Sequence, residues 1–295
     1  MTAKLLKTDS AESAPSKVKS SYLHLGFIAL SVVIAVLAII FLLPFYLVIV
    51  NSLKDYGDVL RGAASFPRPL VFENYKVAWT TVRFPLATFN SLVITIVSIT
   101  LLVLLGAMAA WRLARAPHRI NNIIFTLFVV AMVVPFQSVM IPLMKVGSTL
   151  GLLDNRPGLI IIYLGFGMPF TVFLFHGFIK ASVPREIEEA AIIDGCNSFQ
   201  TFFLVVLPIL RPMLATVVIL HAFWIWNDFL LPLLVLYDPA KRTIPLAVFS
   251  FLGKYTDRWN LALATLTMGM LPIIVFFLAL QKYIIRGVAA GSVKR

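Results

Sequence analysis

Long apolar runs alternate with short polar segments along almost the whole chain. Six of these runs are long enough to cross a hydrocarbon layer of about 30 Å as helices that rise about 1.5 Å per residue. The pattern therefore predicts six membrane-spanning helices, with approximate bounds 25–50, 86–111, 120–144, 157–179, 213–237 and 261–281.

The composition supports a membrane protein. Of 295 residues, 60% are apolar and 13% are charged, and the mean hydropathy is +0.94. Soluble domains carry about twice that charged fraction, so one all-α bundle embedded in lipid is predicted. The formal charge of +12 is scattered singly between apolar runs, which argues against nucleic-acid binding. A single cysteine, Cys196, excludes an internal disulfide and a cysteine-based zinc site, and no metal site is predicted.

The two chain ends are predicted to lie in the cytoplasm. Residues 1–24 are polar and lack apolar periodicity, so we expect a disordered tail. Residues 286–295 form a second short tail. An even number of spans places both ends on one side, and basic residues cluster in the segments expected to be cytoplasmic. The outer loops carry nearly as many basic residues, so this charge bias is small.

A segment that is not a span, residues 184–208, separates the fourth and fifth spans. Pro184 suits a first helical position, acidic residues crowd the first turns, and Gly195 can supply the left-handed residue that ends a helix. The pattern predicts a helix of about 11 residues, a sharp turn, and a second helix capped by Asn197 or Ser198.

This short acidic helix cannot cross the membrane and is expected to lie on its inner face. Ala190 and Ala191 would let another surface approach closely, and the Glu189 carboxylate could accept hydrogen bonds from it. A partner that pushed on the segment would then move the helices on either side together. The alternative is an amphipathic surface helix that only anchors the loop.

The same segment carries a family resemblance. Glu189-Ala190-Ala191, three residues, Gly195, nine residues, Val205, one residue and Leu207-Pro208 resembles the EAA motif of binding-protein-dependent ABC importer permeases. Val205 replaces the usual isoleucine. Asp194 before the glycine is similar to the carbohydrate branch of that family.

Further motifs resemble the second permease subunit of maltose-type and multiple-sugar importers. They are Phe72-Glu-Asn-Tyr75, Asn90-Ser91, Ile141-Pro142, Trp226-Asn227-Asp228-Phe229 and the final stretch from Gly287 to Lys294. The resemblance implies a type I importer permease fold in a bacterial or archaeal cell membrane. It also implies four kinds of partner: a homologous second permease, two cytoplasmic ATPase subunits, an extracytoplasmic sugar-binding protein and membrane lipid.

The resemblance assigns roles to particular residues. It makes the 184–208 segment the coupling helix that docks into the ATPase. The residues that would act there are Glu186, Glu189, Ala190, Ala191, Asp194, Gly195, Leu207 and Pro208. In maltose-type permeases the C-terminal tail also reaches the ATPase, so Gly291, Ser292, Val293 and Lys294 could touch it here.

The chain lacks a sequence that would bind nucleotide phosphates. A P-loop requires the order G-x-x-x-x-G-K-[ST]. The single Gly-Lys pair, Gly253-Lys254, is followed by Tyr255, and Val248 stands at the first glycine position. We also find no plausible set of nucleophile, base and oxyanion donors. The chain is therefore not expected to be an enzyme, and ATP with magnesium would be used by a partner subunit.

Asp228 is the sole carboxylate within the predicted spans, where an ionisable group is costly unless it faces water or a partner. Asn227 and Asp228 could line a hydrated sugar path, with Trp226 offering a flat apolar face. Alternatively they form a structural network between helices, together with Asn90. The resemblance does not decide, because in the maltose importer the other permease supplies the sugar site.

Two other functions remain open. One is an ion-gradient-driven secondary transporter, which usually has charged midplane sites in duplicated halves; no repeat is visible here. The other is an importer permease for a solute that is not a sugar.

Overall fold

The computed structural model describes residues 17–116, 118–254 and 258–292. Within these ranges the chain is helical and contains no β-strand. A π-helix lies at Thr201–Val206 and a 3₁₀ turn at Pro239–Lys241. In chain order the α-helices are α1 (Lys17–Ser52), α2 (Tyr56–Arg61), α3 (Glu73–Thr81), α4 (Phe84–Arg115), α5 (Arg119–Ala131), α6 (Phe136–Thr149), α7 (Arg156–Ser182), α8 (Arg185–Ile193), α9 (Ser198–Gln200), α10 (Leu207–Ile209), α11 (Arg211–Asn227), α12 (Leu230–Val235), α13 (Ile244–Lys254) and α14 (Trp259–Ser292).

Among the described residues, four helices are continuous and apolar enough to cross a membrane: α1, α4, α7 and α14. Two further spans are bent. The axes of α5 and α6 meet at 108°, and those of Ser198–Ile209 and α11 meet at 78°. The count reaches six when each bent pair is one span. The helix α1 begins at Lys17, so residues 17–24 extend the first helix and are not a disordered tail, because propagating an existing helix is cheap. Residues 1–16 of the predicted tail lie outside the described residues.

Prolines explain why α5 and α11 end where they do. A helical proline lacks an N–H group, and its ring collides with the carbonyl four residues earlier. Pro135 therefore opposes a helix through Ala131, where α5 ends. Pro232 opposes one through Asp228, and α11 ends just before it. The predicted spans 120–144 and 213–237 are corrected accordingly: the first is two helices, and the second is interrupted after Asn227 and resumes as the short helix α12.

The centre of the bundle is the contact between α4 and α7. Leu102 of α4 and Val172 and Phe175 of α7 are fully buried there. Glycines let the two helices approach closely, as is common between membrane helices. A Cβ atom on Gly106 would overlap the Thr171 methyl group, and one on Gly167 would lie 2.8 Å from both Leu102 methyl carbons.

A polar network closes the bundle at the α3 end, opposite α8. Asn74 donates to the carbonyls of Ser52 and Lys54 at 2.8 Å each, and accepts from Asn260 at 2.9 Å. The Lys54 ammonium is 1% exposed and donates to Asn51 Oδ1 and to two loop carbonyls. Burial lowers the pKa of this amine. The Phe72–Tyr75 motif therefore fastens the first loop to the ends of α1 and α14.

A second tie joins two loops at this end. The Asp154 carboxylate accepts from the backbone N–H groups of Asp238 and Tyr237 at 2.9 and 3.0 Å, and from Lys241 Nζ at 2.8 Å. These donors, with the Asp238 N–H group contributing most, hold the pKa of Asp154 below its usual range. The loop after α6 is thereby bound to the loop before α13.

We expect Gly106→Ala to lower the free energy of unfolding by about 1–3 kcal/mol, because overpacking forces neighbours apart. Thr171 cannot readily rotate away, since its hydroxyl donates to the Gly167 carbonyl and contacts His221 Nε2 at 2.7 Å. Gly165 lies in the same helix as Thr171, and a Cβ atom there meets nothing within 4 Å. Gly165→Ala is the matched control. Thermal unfolding in detergent that showed equal effects would contradict this packing.

Candidate coupling site

The segment between α7 and α11 contains the predicted short helix. Helix α8 has nine residues, Arg185–Ile193, and is about 14 Å long. Pro184 is its N-cap residue and lies one position earlier than predicted. Glu186 and Glu188 lie in the first turn, where the helix dipole favours negative charge.

Gly195 ends the helix as expected. Its φ angle is +89°, a conformation that side chains other than glycine and asparagine rarely adopt. The Cys196 N–H group donates to the Ala191 carbonyl at 2.9 Å, and the Gly195 N–H group donates to the Ile192 carbonyl at 3.0 Å. These are the two bonds of a Schellman motif, and they fix the direction in which the chain leaves α8.

The return to the bundle begins with a capping box. Asn197 Oδ1 accepts from the Gln200 N–H group at 2.9 Å, and Gln200 Oε1 accepts from the Asn197 N–H group at 2.8 Å. Asn197 is thus the cap, of the two predicted candidates. The chain continues through the π-helix Thr201–Val206 and through α10, which holds Leu207 and Pro208, to the 78° bend before α11.

Helix α8 has two chemically different faces. Glu188 and Ala191 are both 7% exposed and face the bundle. The rest of its surface is open. It carries the basic residue Arg185 at its start and otherwise combines acidic with apolar groups, which are Glu186, Ile187, Glu189, Ala190, Ile192, Ile193 and Asp194. Ile193 is 85% exposed. Ala190 therefore lies where a partner could approach, whereas Ala191, expected to contact a partner, packs inward.

Glu188 makes a contact that the sequence did not reveal. Its Oε1 atom accepts from Arg115 Nε at 2.9 Å and from Arg115 Nη2 at 2.7 Å. Its Oε2 atom accepts from Trp111 Nε1 at 3.0 Å. Arg115 Nη2 also donates to the Val183 carbonyl at 2.7 Å, just after α7. We call Trp111, Arg115, Val183 and Glu188 the α8 clamp. It joins α8 to the ends of α4 and α7.

Asp228 lies beside a cavity of about 270 Å³ where the two broken spans meet. Its Oδ2 atom accepts from the Tyr163 hydroxyl at 2.9 Å, and its Oδ1 atom accepts from the Leu230 N–H group at 3.0 Å. Phe136, Phe166 and Trp224 also line this cavity. Asp228 thus both links α7 to the end of α11 and faces an open space.

The other three residues named with Asp228 lie elsewhere. Asn90 is fully buried and donates to the carbonyls of Ala240 and Arg242 at 3.0 and 2.9 Å. Trp226 lines a separate apolar cleft between α4, α11 and α14. Asn227 is exposed and donates to the Phe223 carbonyl at 2.8 Å. Trp224, not Trp226, is therefore the tryptophan beside Asp228.

The tail residues expected to touch an ATPase are only partly described. The backbone of Gly291 and Ser292 belongs to α14. Val293 and Lys294 lie outside the described residues.

Sequence comparisons place this architecture among known transport proteins. The profile of the family described as binding-protein-dependent transport system inner membrane component matches residues 102–290. Two relatives are a probable starch degradation products transport system permease protein, AmyC of Thermoanaerobacterium thermosulfurigenes, and the melibiose/raffinose/stachyose import permease protein MelC of Bacillus subtilis strain 168. They are 40% and 36% identical to this chain over 260 residues, and each alignment covers 88% of this chain and 94% of the relative.

A third relative is the multiple sugar-binding transport system permease protein MsmG of Streptococcus mutans serotype c, strain ATCC 700610 / UA159. It is 38% identical over 268 residues, which cover 89% of this chain and 95% of MsmG.

A solved structure has the same fold. The crystal structure of a bacterial ABC transporter involved in the import of the acidic polysaccharide alginate superposes with a TM-score of 0.73 at 23% identity, and covers 92% of this chain and 99% of that one. The type I importer permease fold predicted from the sequence is therefore confirmed. The chain belongs to the family of binding-protein-dependent transport system inner membrane components.

Proposed function

We propose that this chain is a permease subunit of an ATP-driven, binding-protein-dependent sugar importer, in which α8 receives the motion of partner ATPase subunits as they close on ATP. The relatives named for starch degradation products and for melibiose, raffinose and stachyose support a sugar as the solute. The observation that carries the coupling role is the two-faced α8. One face is clamped to the bundle, and the other presents an open acidic and apolar surface.

The proposed complex contains a second, homologous permease, two cytoplasmic ATPase subunits and an extracytoplasmic sugar-binding protein. In this arrangement α8 and both chain ends face the cytoplasm, and the α3 end faces the binding protein. ATP and magnesium act in the ATPase subunits. When the ATPase subunits close, this chain changes the side of the membrane to which the bundle is open.

Thermodynamic linkage determines which conformational state each ligand must favour. A ligand shifts a conformational equilibrium only by its different affinities for the two states. ATP and the loaded binding protein must therefore both favour the outward-open state, and each must strengthen the effect of the other. Hydrolysis removes one of these contributions, so the bundle returns to its inward-open state with the solute released.

We expect Gly195→Val to abolish sugar uptake while the protein still inserts into the membrane. A side chain at φ +89° costs about 1–2 kcal/mol, and more for a β-branched residue, so the Schellman turn and the direction of α8 should change. The measurements are uptake by the reconstituted importer and the amount of ATPase that co-purifies.

Gly195→Asn is the matched control, because asparagine tolerates this conformation and a Cβ atom there meets nothing within 4 Å. It should retain most activity. Normal uptake by Gly195→Val would contradict a docking role for this turn.

We also place the sugar path beside Asp228. Breaks in membrane helices are tolerated where they line a wet or protein-filled cavity, and the breaks at residues 131–136 and 228–230 meet at one. Asp228 accepts from the Tyr163 hydroxyl and from the Leu230 and Leu231 N–H groups, whereas a carboxylate offers about four acceptor positions. A sugar hydroxyl would use the position that remains, with aromatic side chains against the ring faces.

We expect Asp228→Asn to lower the sugar transported per ATP about tenfold, because a charge-assisted hydrogen bond becomes a neutral one. Trp224→Ala should also lower it, and Trp226→Ala should not, since Trp226 lies in the other cleft. Reconstituted importer supplied with radiolabelled maltose or raffinose would give these ratios.

Tyr163→Phe distinguishes a role of Asp228 in the sugar path from a role in the network between helices. It removes only the hydrogen bond from the Tyr163 hydroxyl to Asp228 and leaves the carboxylate in place. An effect as large as that of Asp228→Asn would show that the network is what matters.

A further inference from the structure

The chain offers two routes by which motion of α8 could reach the bundle. The covalent route runs through the turn at Gly195, the π-helix at Thr201–Val206 and a 78° bend. π-Helices are unusual and often occur where a helix changes shape in function. Backward along the chain, Val183 and Pro184 join α8 directly to α7. The second route is the α8 clamp, which connects α8 to α4 without passing along the chain and also holds the Val183 carbonyl of that link.

The clamp is geometrically well suited to carry force. Arg115 holds Glu188 through Nε and Nη2, and the Nη2 group, which carries two hydrogens, also donates to the Val183 carbonyl. The side chains of Arg115 and Glu188 are 16% and 9% exposed, so water competes little for these bonds. Both Glu188 oxygens are engaged, since Trp111 occupies the second one. The arginine fork and the indole together restrict both tilt and rotation of α8.

Aromatic packing extends the same junction. The Trp111 ring lies 5.6 Å from the Phe202 ring, between centroids, and Phe202 is 1% exposed. The end of α4 therefore contacts both sides of the turn that follows α8. A displacement of α8 would therefore act directly on the end of α4, through Arg115 and Trp111, and not only through the π-helix.

We propose that Arg115, Trp111 and Glu188 are positioning residues of the transport cycle, which make α8 move as one rigid body with the ends of α4 and α7. This proposal rests on the proposed function above. It assigns different tasks to adjacent acids: Glu188 transmits motion inward, and Glu189 remains on the open face. The π-helix Thr201–Val206, which lies between α8 and α11, would then change shape so that α11 can adjust when α4 and α7 move.

The first test measures the coupling ratio, sugar transported per ATP hydrolysed, of the complete importer in liposomes with radiolabelled maltose and raffinose. Arg115→Lys keeps the charge but loses the fork, and Glu188→Gln keeps the shape but loses the charge. We expect each to lower the ratio at least about fivefold, because bonds between buried charged groups are lost, while ATPase co-purification and stimulated ATP hydrolysis persist.

One control is matched. Arg112 lies at the same end of α4 as Arg115 and is exposed. Arg112→Lys should leave the coupling ratio unchanged. Unchanged ratios in the clamp variants would overturn the proposal, and so would loss of complex assembly in both of them, which would indicate a role in folding alone. If the unmodified importer takes up neither these sugars nor any other sugar in response to ATP, the proposed function fails instead.

A distance measurement tests rigidity directly. Cys196, the chain's single cysteine, follows α8, and Arg112→Cys adds a second label site on α4. In cysteine-free partners, spin labels at these positions should keep one distance with and without ATP. The distance should change or broaden in the Arg115→Lys background. A clear shift in the unmodified clamp on ATP binding would show that α8 moves relative to α4, and would overturn the proposal.

Discussion

The hydrocarbon of a membrane offers no hydrogen bonds, so each backbone N–H and carbonyl group inside it must find a partner within the protein. This constraint determines where the chain can depart from a helix. A long helix such as α4, which has no proline beyond its first turn, meets it along nearly its whole length. Two of the three breaks, at residues 131–136 and 228–230, occur together beside a shared cavity, where a carboxylate binds a phenol and a backbone N–H group. Irregular structure is otherwise concentrated at the two ends of the bundle, and these are the parts with which we expect partners to interact.

Local features of the coupling segment were predictable because each depends on residues close in sequence. A glycine after an acidic helical run predicted the left-handed turn at Gly195, and Asn197 was one of two predicted caps. The break at Asp228 was also encoded locally, since Pro232 follows it by four residues. Its effect was not foreseen, because prolines at 142, 169 and 272 lie inside continuous helices. Whether a proline ends a helix depends on what its neighbours offer the displaced carbonyl.

Long-range contacts could not be predicted. Arg115 and Glu188 are separated by 73 residues. Glu186 and Glu189 were predicted to face a partner. No local pattern indicated that Glu188 would turn inward and bind Arg115, because that contact depends on how α8 packs against α4. The exchange of Trp224 for Trp226 beside Asp228 has a similar origin. Residues two apart lie on nearly opposite sides of a helix, so the correct choice required the rotation of α11 about its axis.

Helix α4 has a consequence for the timing of the two ends of the molecule. Asn90 and Ser91 bind the segment 240–244 near one end, and Arg115 binds α8 at the other, about 36 Å away along an unbroken helix. One continuous helix, α4, therefore makes hydrogen bonds to other segments near both faces of the membrane. Tilting α4 displaces both of its ends at once. The bundle can therefore close on one side of the membrane and open on the other without a separate conformational change at each side.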